Sequence, residues 1–97
     1  MGRKYTARVD GNQAAITQAL RQCGCLVQTT HTIGRGFPDL LCAYQGVLFL
    51  AEVKMPGAKL TQDEITWHAK WADAPVYVVE SVEQIPDLLN TIVEDAR

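Results

Sequence analysis

Three charged residues mark the ends of an otherwise apolar stretch, GFPDLLCAYQGVLFLAEVK from Gly36 to Lys54: Asp39, Glu52 and Lys54. Two acids and a lysine on strands this apolar call for pairing, for a metal ion or for a substrate. The stretch reads as two strands joined by a two-residue turn at Gln45-Gly46. Tyr44 then faces Val47, and counting outward sets Asp39 opposite Glu52, with Cβ atoms roughly 5 Å apart. Lys54, two residues past Glu52, falls on the same face. Opposed carboxylates repel, and a hard divalent cation with oxygen ligands relieves that repulsion. The alternative is a buried ion-pair network in which Arg35 or Lys59 assists.

The elements that must position these residues follow from periodicity and caps. Met1 to Val9 is polar and basic, with Arg3, Lys4 and Arg8, and reads either as a frayed terminus or as an arm able to touch a phosphate backbone. Asp10 with Gln13 suggests a capping box, and Ile16, Leu20 and Cys23 give the helix over Gly11 to Cys23 one apolar face. Gly24 ends it. Cys25 to Thr30 has the β-branched content of a strand, and His31 to Phe37 is a loop with Arg35 between two glycines. Beyond the hairpin, Pro56-Gly57 marks a loop and Thr61 with Glu64 caps a second helix that runs to about Ala72. Ala74-Pro75 breaks that helix, Val76 to Glu80 forms a short strand, and Ser81 caps a final amphipathic helix. The order is α-β-β-β-α-β-α. Both faces of the hairpin carry apolar side chains, so helices are expected on both, in a three-layer α/β/α domain with a mixed central sheet.

Composition bounds the rest. The 97 residues are enough for a single domain with a real core, and 47% hydrophobic with 21% charged residues is ordinary for a soluble protein. No apolar run is long enough to span a bilayer, and three cysteines without framework spacing fit reduced thiols in a cytoplasmic setting. The net charge of −2 argues against a non-specific coat for nucleic acid. Residues 1–59 nevertheless hold seven basic and three acidic residues, and residues 60–97 two basic and eight acidic, which reads either as ordinary surface charge or as a basic part that meets phosphates while the acidic helices stay in solvent.

Pro38-Asp39 followed by Glu52-Val53-Lys54 resembles the active-site signature of the PD-(D/E)xK nuclease superfamily. The words GFPDLL, AEVK and LTQDEITWHAKW resemble its VRR-NUC family, the virus-type replication-repair nucleases, over nearly the whole chain. The resemblance implies a restriction-endonuclease-like core and a Mg²⁺- or Mn²⁺-dependent endodeoxyribonuclease. Asp39, Glu52 and the backbone carbonyl of Val53 would hold one or two ions. Lys54 would orient or help deprotonate a water, or stabilise developing charge. Glu64 stands where the family usually has glutamine. The helical acid that superfamily members often supply is missing from Gly11 to Cys23, which has Asp10 at the cap and the amides Asn12 and Gln13.

The same resemblance implies a DNA substrate, branched or structured, Holliday junctions among them. It also implies a homodimer with two active sites and a small stand-alone protein of bacteriophage origin acting in a bacterial cytoplasm. Arg35, Gly36, Lys59, Arg8 and Lys4 are the candidate DNA contacts. Two other readings stand beside it: a catalytically silent nucleic-acid-binding module on the same fold, and a protein-interaction domain using its acidic C-terminal face. Cys23, Cys25 and His31 fall short of the four ligands of a structural zinc site. Trp67 and Trp71, spaced i and i+4, read first as core and second as a DNA or dimer contact. His68, one turn past Glu64, reads first as a packing histidine and second as a neighbour of the scissile phosphate.

Overall fold

A computed structural model describes residues 11–97; Lys4, Arg8, the arm they belong to and the expected Asp10 cap lie outside the described residues. The elements are α1 (Gln13–Gln22), β1 (Leu26–Thr29), β2 (Leu40–Tyr44), β3 (Val47–Val53), α2 (Gln62–Lys70), β4 (Val76–Val79) and α3 (Ile85–Asp95). The four strands form one sheet in sequence order, β1-β2-β3-β4. The first two pairings are antiparallel and β3 runs parallel to β4. The domain is therefore α/β with a mixed sheet, and no helix among the described residues is long and apolar enough to cross a membrane.

The turn sets the register. Gln45 and Gly46 both have positive φ, 50° and 80°, as a two-residue type I′ turn requires, and Tyr44 pairs with Val47. Pairing then runs outward to Leu40 opposite Ala51, so one more step sets Asp39 opposite Glu52 as the sequence predicted.

Period-2 alternation divides the sheet into two unlike faces. Leu40, Cys42, Phe49, Ala51, Val53 and Val79 form the buried face and pack with Ile16 and Leu20 of α1 and with Ile85, Leu89 and Ile92 of α3. On the other face Leu26 is 75% exposed and Leu48 63%, with Leu41 and Val78 also open to solvent. Helix α2 meets that face only where Glu52 and Lys54 emerge, so the cover expected on both faces is uneven. Two apolar faces need not be covered equally when one helix is short and its own apolar residues are few.

Local chemistry also departs from the expected caps. The α1 N-cap is Asn12, whose side chain makes no capping bond; its Nδ2 donates instead to the carbonyls of Lys54 (3.1 Å) and Glu80 (2.8 Å). It ties the ends of β3 and β4 together. Ser81 opens a single 3₁₀ turn over Val82–Gln84 rather than the helix itself. Gln84 turns its Oε1 back to accept from the Ser81 N–H at 3.0 Å, and α3 starts at Ile85 with Pro86 in its first turn, where a missing N–H is harmless.

Thiol positions yield one prediction. Cys23 is exposed, whereas Cys25 and Cys42 are buried. Burial, with Cys25 alongside, pushes the Cys42 thiol up to about 12. At pH 8 an aromatic disulfide reagent should modify one thiol per native chain rapidly, and Cys23→Ser should remove that phase, leaving two thiols that react only on unfolding.

A second prediction concerns two glycines of nearly equal φ. A Cβ on Gly36 (φ 81°) would lie 2.2 Å from the Asp63 carbonyl oxygen, whereas one on Gly46 (φ 80°) would meet open space. Gly46→Ala should cost about 1–2 kcal/mol, the left-handed penalty alone. Gly36→Ala should cost at least about 2 kcal/mol more, since backbone must also move. Urea midpoints of the two variants measure the difference.

Candidate active site

The site forms where β2 begins, β3 ends and α2 crosses. Asp39 is positioned through its backbone: its carbonyl accepts from the Thr30 N–H (2.8 Å), and the Pro38 carbonyl accepts from the Thr30 hydroxyl (2.7 Å). Its Oδ2 accepts from the Val53 N–H at 2.8 Å, lashing the acid across to β3. Glu52 is 1% exposed, among the most buried side chains of the protein. The Lys54 N–H donates to the Val79 carbonyl at 3.0 Å, so the residue is fixed by β4 on one side and by Asn12 on the other.

Helix α2 brings the remaining groups. Thr61 and Glu64 form the expected capping box, with the Glu64 N–H donating to Thr61 Oγ1 and the Thr61 N–H donating to Glu64 Oε1 at 2.8 Å. The same Oε1 accepts from Lys54 Nζ at 2.7 Å. One carboxylate thus caps the helix and seats the lysine. His68, one turn later, places Nε2 3.2 Å from Glu52 Oε1. The helical i, i+4 spacing of Glu64 and His68 puts both on the face that meets the sheet, the one signal in the sequence that marked His68 as part of the site.

Electrostatics separate the two glutamates. Burial, then the hydrogen bond and charge of Asp39 and the nearby charge of Glu64, raise the Glu52 carboxyl far above 4.5, to about 10. Burial pulls Glu64 upward too, but the Lys54 ammonium and the Thr61 N–H outweigh it and hold that carboxyl below 4.5. Glu52 therefore takes up a proton to share a dry space with two other acids.

Asp39, Glu52, Val53, Lys54 and Glu64 are thus gathered at one place. Arg35 lies beyond them, lining an open groove with α2, and Lys59 stays exposed on the loop before α2. Gly36 packs against the first turn of α2, where the Asp63 carbonyl fills the space of a Cβ. The ion-pair alternative is present in altered form, with Glu64 and His68 as the partners in place of Arg35 and Lys59. Among the described residues no three His, Cys, Asp or Glu side chains stand as a ready metal-binding group, the Cys23, Cys25 and His31 trio included. The donor set nevertheless suits a hard cation: crowding of the carboxylates pushes Glu52 up, a strain that a cation relieves, and the oxygens are of the type that such ions take.

An acid–acid–lysine cluster at the open end of a mixed sheet, with a helix laid over it, defines a domain of the nuclease type. No family model matches the chain, and no curated protein matches it by sequence. Among solved structures it is similar to one described as a "VRR_NUC domain", with 27% identity and a TM-score of 0.67, over 81% of this chain and 95% of that one. In fold and partly in sequence the chain is therefore similar to a VRR-NUC domain, in line with the resemblance of the words around Asp39, Glu52 and Glu64.

The crowding has a measurable sign. Between pH 4.5 and about 10 the folded protein retains a Glu52 proton that the unfolded chain releases, so this group's contribution to stability falls as pH rises through that window. In EDTA, Glu52→Gln should therefore be more stable than the parent at pH 8, by at least about 1 kcal/mol, and the gap should close toward pH 4.5. Lys54→Ala should act oppositely, costing about 3 kcal/mol by leaving Glu64 without its cation. Thermal melts across pH test both.

Proposed function

We propose that the chain is a Mg²⁺- or Mn²⁺-dependent endonuclease that hydrolyses phosphodiester bonds in DNA. The observation that carries this reading is the convergence of Asp39, Glu52 and Lys54 on one sheet face beneath α2, with Glu64 holding the lysine at 2.7 Å. Asp39, Glu52 and the Val53 carbonyl are the groups that would hold the ion. When bound, such an ion offers positive charge to the phosphate and acidifies an attacking water. Lys54, held by Glu64 and by its own backbone contacts, is oriented to hold that water or to meet the charge that develops on the phosphate. Glu64 acts here as the seat of the lysine, a job that a glutamine carbonyl can also fill.

The basic residues Arg35 and Lys59, with Lys4 and Arg8 of the N-terminal arm, are proposed to contact DNA phosphates. Branched or junction DNA is the proposed substrate and a homodimer the proposed working form, in the cytoplasm of a bacterium or a phage-infected cell. The solvent-exposed apolar patch of Leu26, Leu41, Leu48 and Val78 supports self-association. One observation favours the silent-module alternative: Glu52 and Lys54 already have partners in His68 and Glu64.

The test incubates the protein with four-way junction, flap, duplex and single-stranded DNA in Mg²⁺, Mn²⁺ or EDTA. Cleavage should require the ion, and Asp39→Ala or Lys54→Ala should lower its rate by about 100-fold or more. Glu64→Gln should stay within about 10-fold of the parent, since the amide keeps an acceptor for Lys54. Cutting that survives EDTA or the Asp39 variant sinks the mechanism, and binding without cutting supports the silent module.

A further inference from the structure

The C-terminal end of α2 carries a feature that the cleavage chemistry leaves unused. Trp67 and Trp71 are stacked, with ring centroids 5.3 Å apart and planes 11° from parallel. Phe37 meets Trp67 edge-on from the loop before β2, at 5.4 Å. Trp67 is therefore contacted by a ring on either side, and Trp71 stands at the end of the stack, 50% exposed. A half-exposed indole ending an aromatic stack is the platform on which an unpaired base settles.

Two cations frame it. Arg35 and Lys70 line the same open groove, about 570 Å³ in volume, with Asp63 the one acid among the described residues that line it. Arg35 has a φ of 57°, a left-handed conformation that costs free energy in a residue with a Cβ, and the flanking Gly34 and Gly36 take positive φ freely. That strained loop is seated on α2, since the Gly36 Cβ position coincides with Asp63 backbone. The loop that presents Arg35 therefore packs directly on the helix that leads to Trp71. The Trp67 ring also lies 5.7 Å from the ring of His68, whose Nε2 contacts Glu52. The groove is thus linked to the carboxylate cluster through Trp67 and His68.

We propose that Trp71, flanked by Arg35 and Lys70, is a binding site for an unpaired nucleotide, the base stacked on the indole and its phosphates met by the two cations. The proposal deepens the nuclease reading and rests on it only in taking DNA as the polymer. It narrows the substrate to DNA with a single-stranded segment beside the scissile bond: a flap, a tail or an opened junction arm. A blunt duplex keeps its base faces paired and stacked, and offers nothing to Trp71.

The experiment measures binding in EDTA, where cleavage plays no part. Adding a short oligothymidine should quench tryptophan emission. Trp71→Ala should weaken that binding about 5-fold or more and leave blunt-duplex binding unchanged, while Trp71→Phe should keep most of the affinity. Arg35→Ala should flatten the salt dependence of oligothymidine binding by about one unit in log–log slope. The variants' circular dichroism and melting show that they are folded, and Trp71→Phe with Arg35→Ala carry the test should the alanine variant not be. The proposal is overturned if oligothymidine does not bind, if Trp71→Ala binds it as the parent does, or if duplex affinity falls equally. It is also overturned if the substitution instead converts a dimer to a monomer in light scattering, which would assign the indole to a second copy of the chain. Ion-dependent cutting with binding that ignores Trp71 defeats this proposal alone; Trp71-dependent binding without cutting defeats the nuclease reading alone.

Discussion

Helix α2 has no buried residue, so the hydrophobic effect does little to hold it. Its attachment consists of a few contacts: Glu64 to Lys54, His68 to Glu52, the Phe37–Trp67 edge contact, and the backbone of Gly36 pressed against its first turn. This is the constraint on which the rest of the site depends. The residues that would do chemistry are also the fastenings of the helix that completes the site. A surface ion pair would be too weak for such a duty, but Lys54 and Glu64 are only 8% and 16% exposed, and shielding from water makes their attraction count.

That arrangement crowds the acids together. Glu52 has Asp39 and Glu64 close by, and among the described residues Lys54 pairs with Glu64. Among the described residues three carboxyl groups crowd one point, closely enough that burial and mutual repulsion push Glu52 far above its ordinary value. Interiors that follow packing alone avoid this, because such crowding lowers stability. Such crowding marks a place shaped by something other than folding.

How much of this was legible in the chain differs from residue to residue. The hairpin was readable because strand side chains alternate with period 2 and Gln45-Gly46 fixes the count; one turn was enough to set Asp39 opposite Glu52. The capping box at Thr61 was readable because it is a local reciprocal bond. What sequence could not supply were contacts made across space. The Asn12 side chain ties β3 to β4 instead of capping its own helix, and Gly36 is required by a carbonyl 27 residues on, not only by its own φ. The unequal cover of the two sheet faces was likewise hidden, since alternation reports that a face is apolar and says nothing of how far a helix extends over it.

The parallel pairing of β3 with β4 carries a consequence for how the domain assembles. The β2–β3 hairpin joins neighbours through a two-residue turn and can close within microseconds, long before distant parts of the chain meet. Strand β4 reaches β3 only by the crossover that contains α2, a loop whose closure is entropically costly and slow. Asp39 and Glu52 are therefore brought face to face early, on an open ribbon still bathed in water, where their repulsion is weak. The dry, strongly repulsive setting arrives with the last elements to dock. The order of assembly lets the chain bring its acids together first and meet the electrostatic cost only when the remaining contacts are there to sustain it.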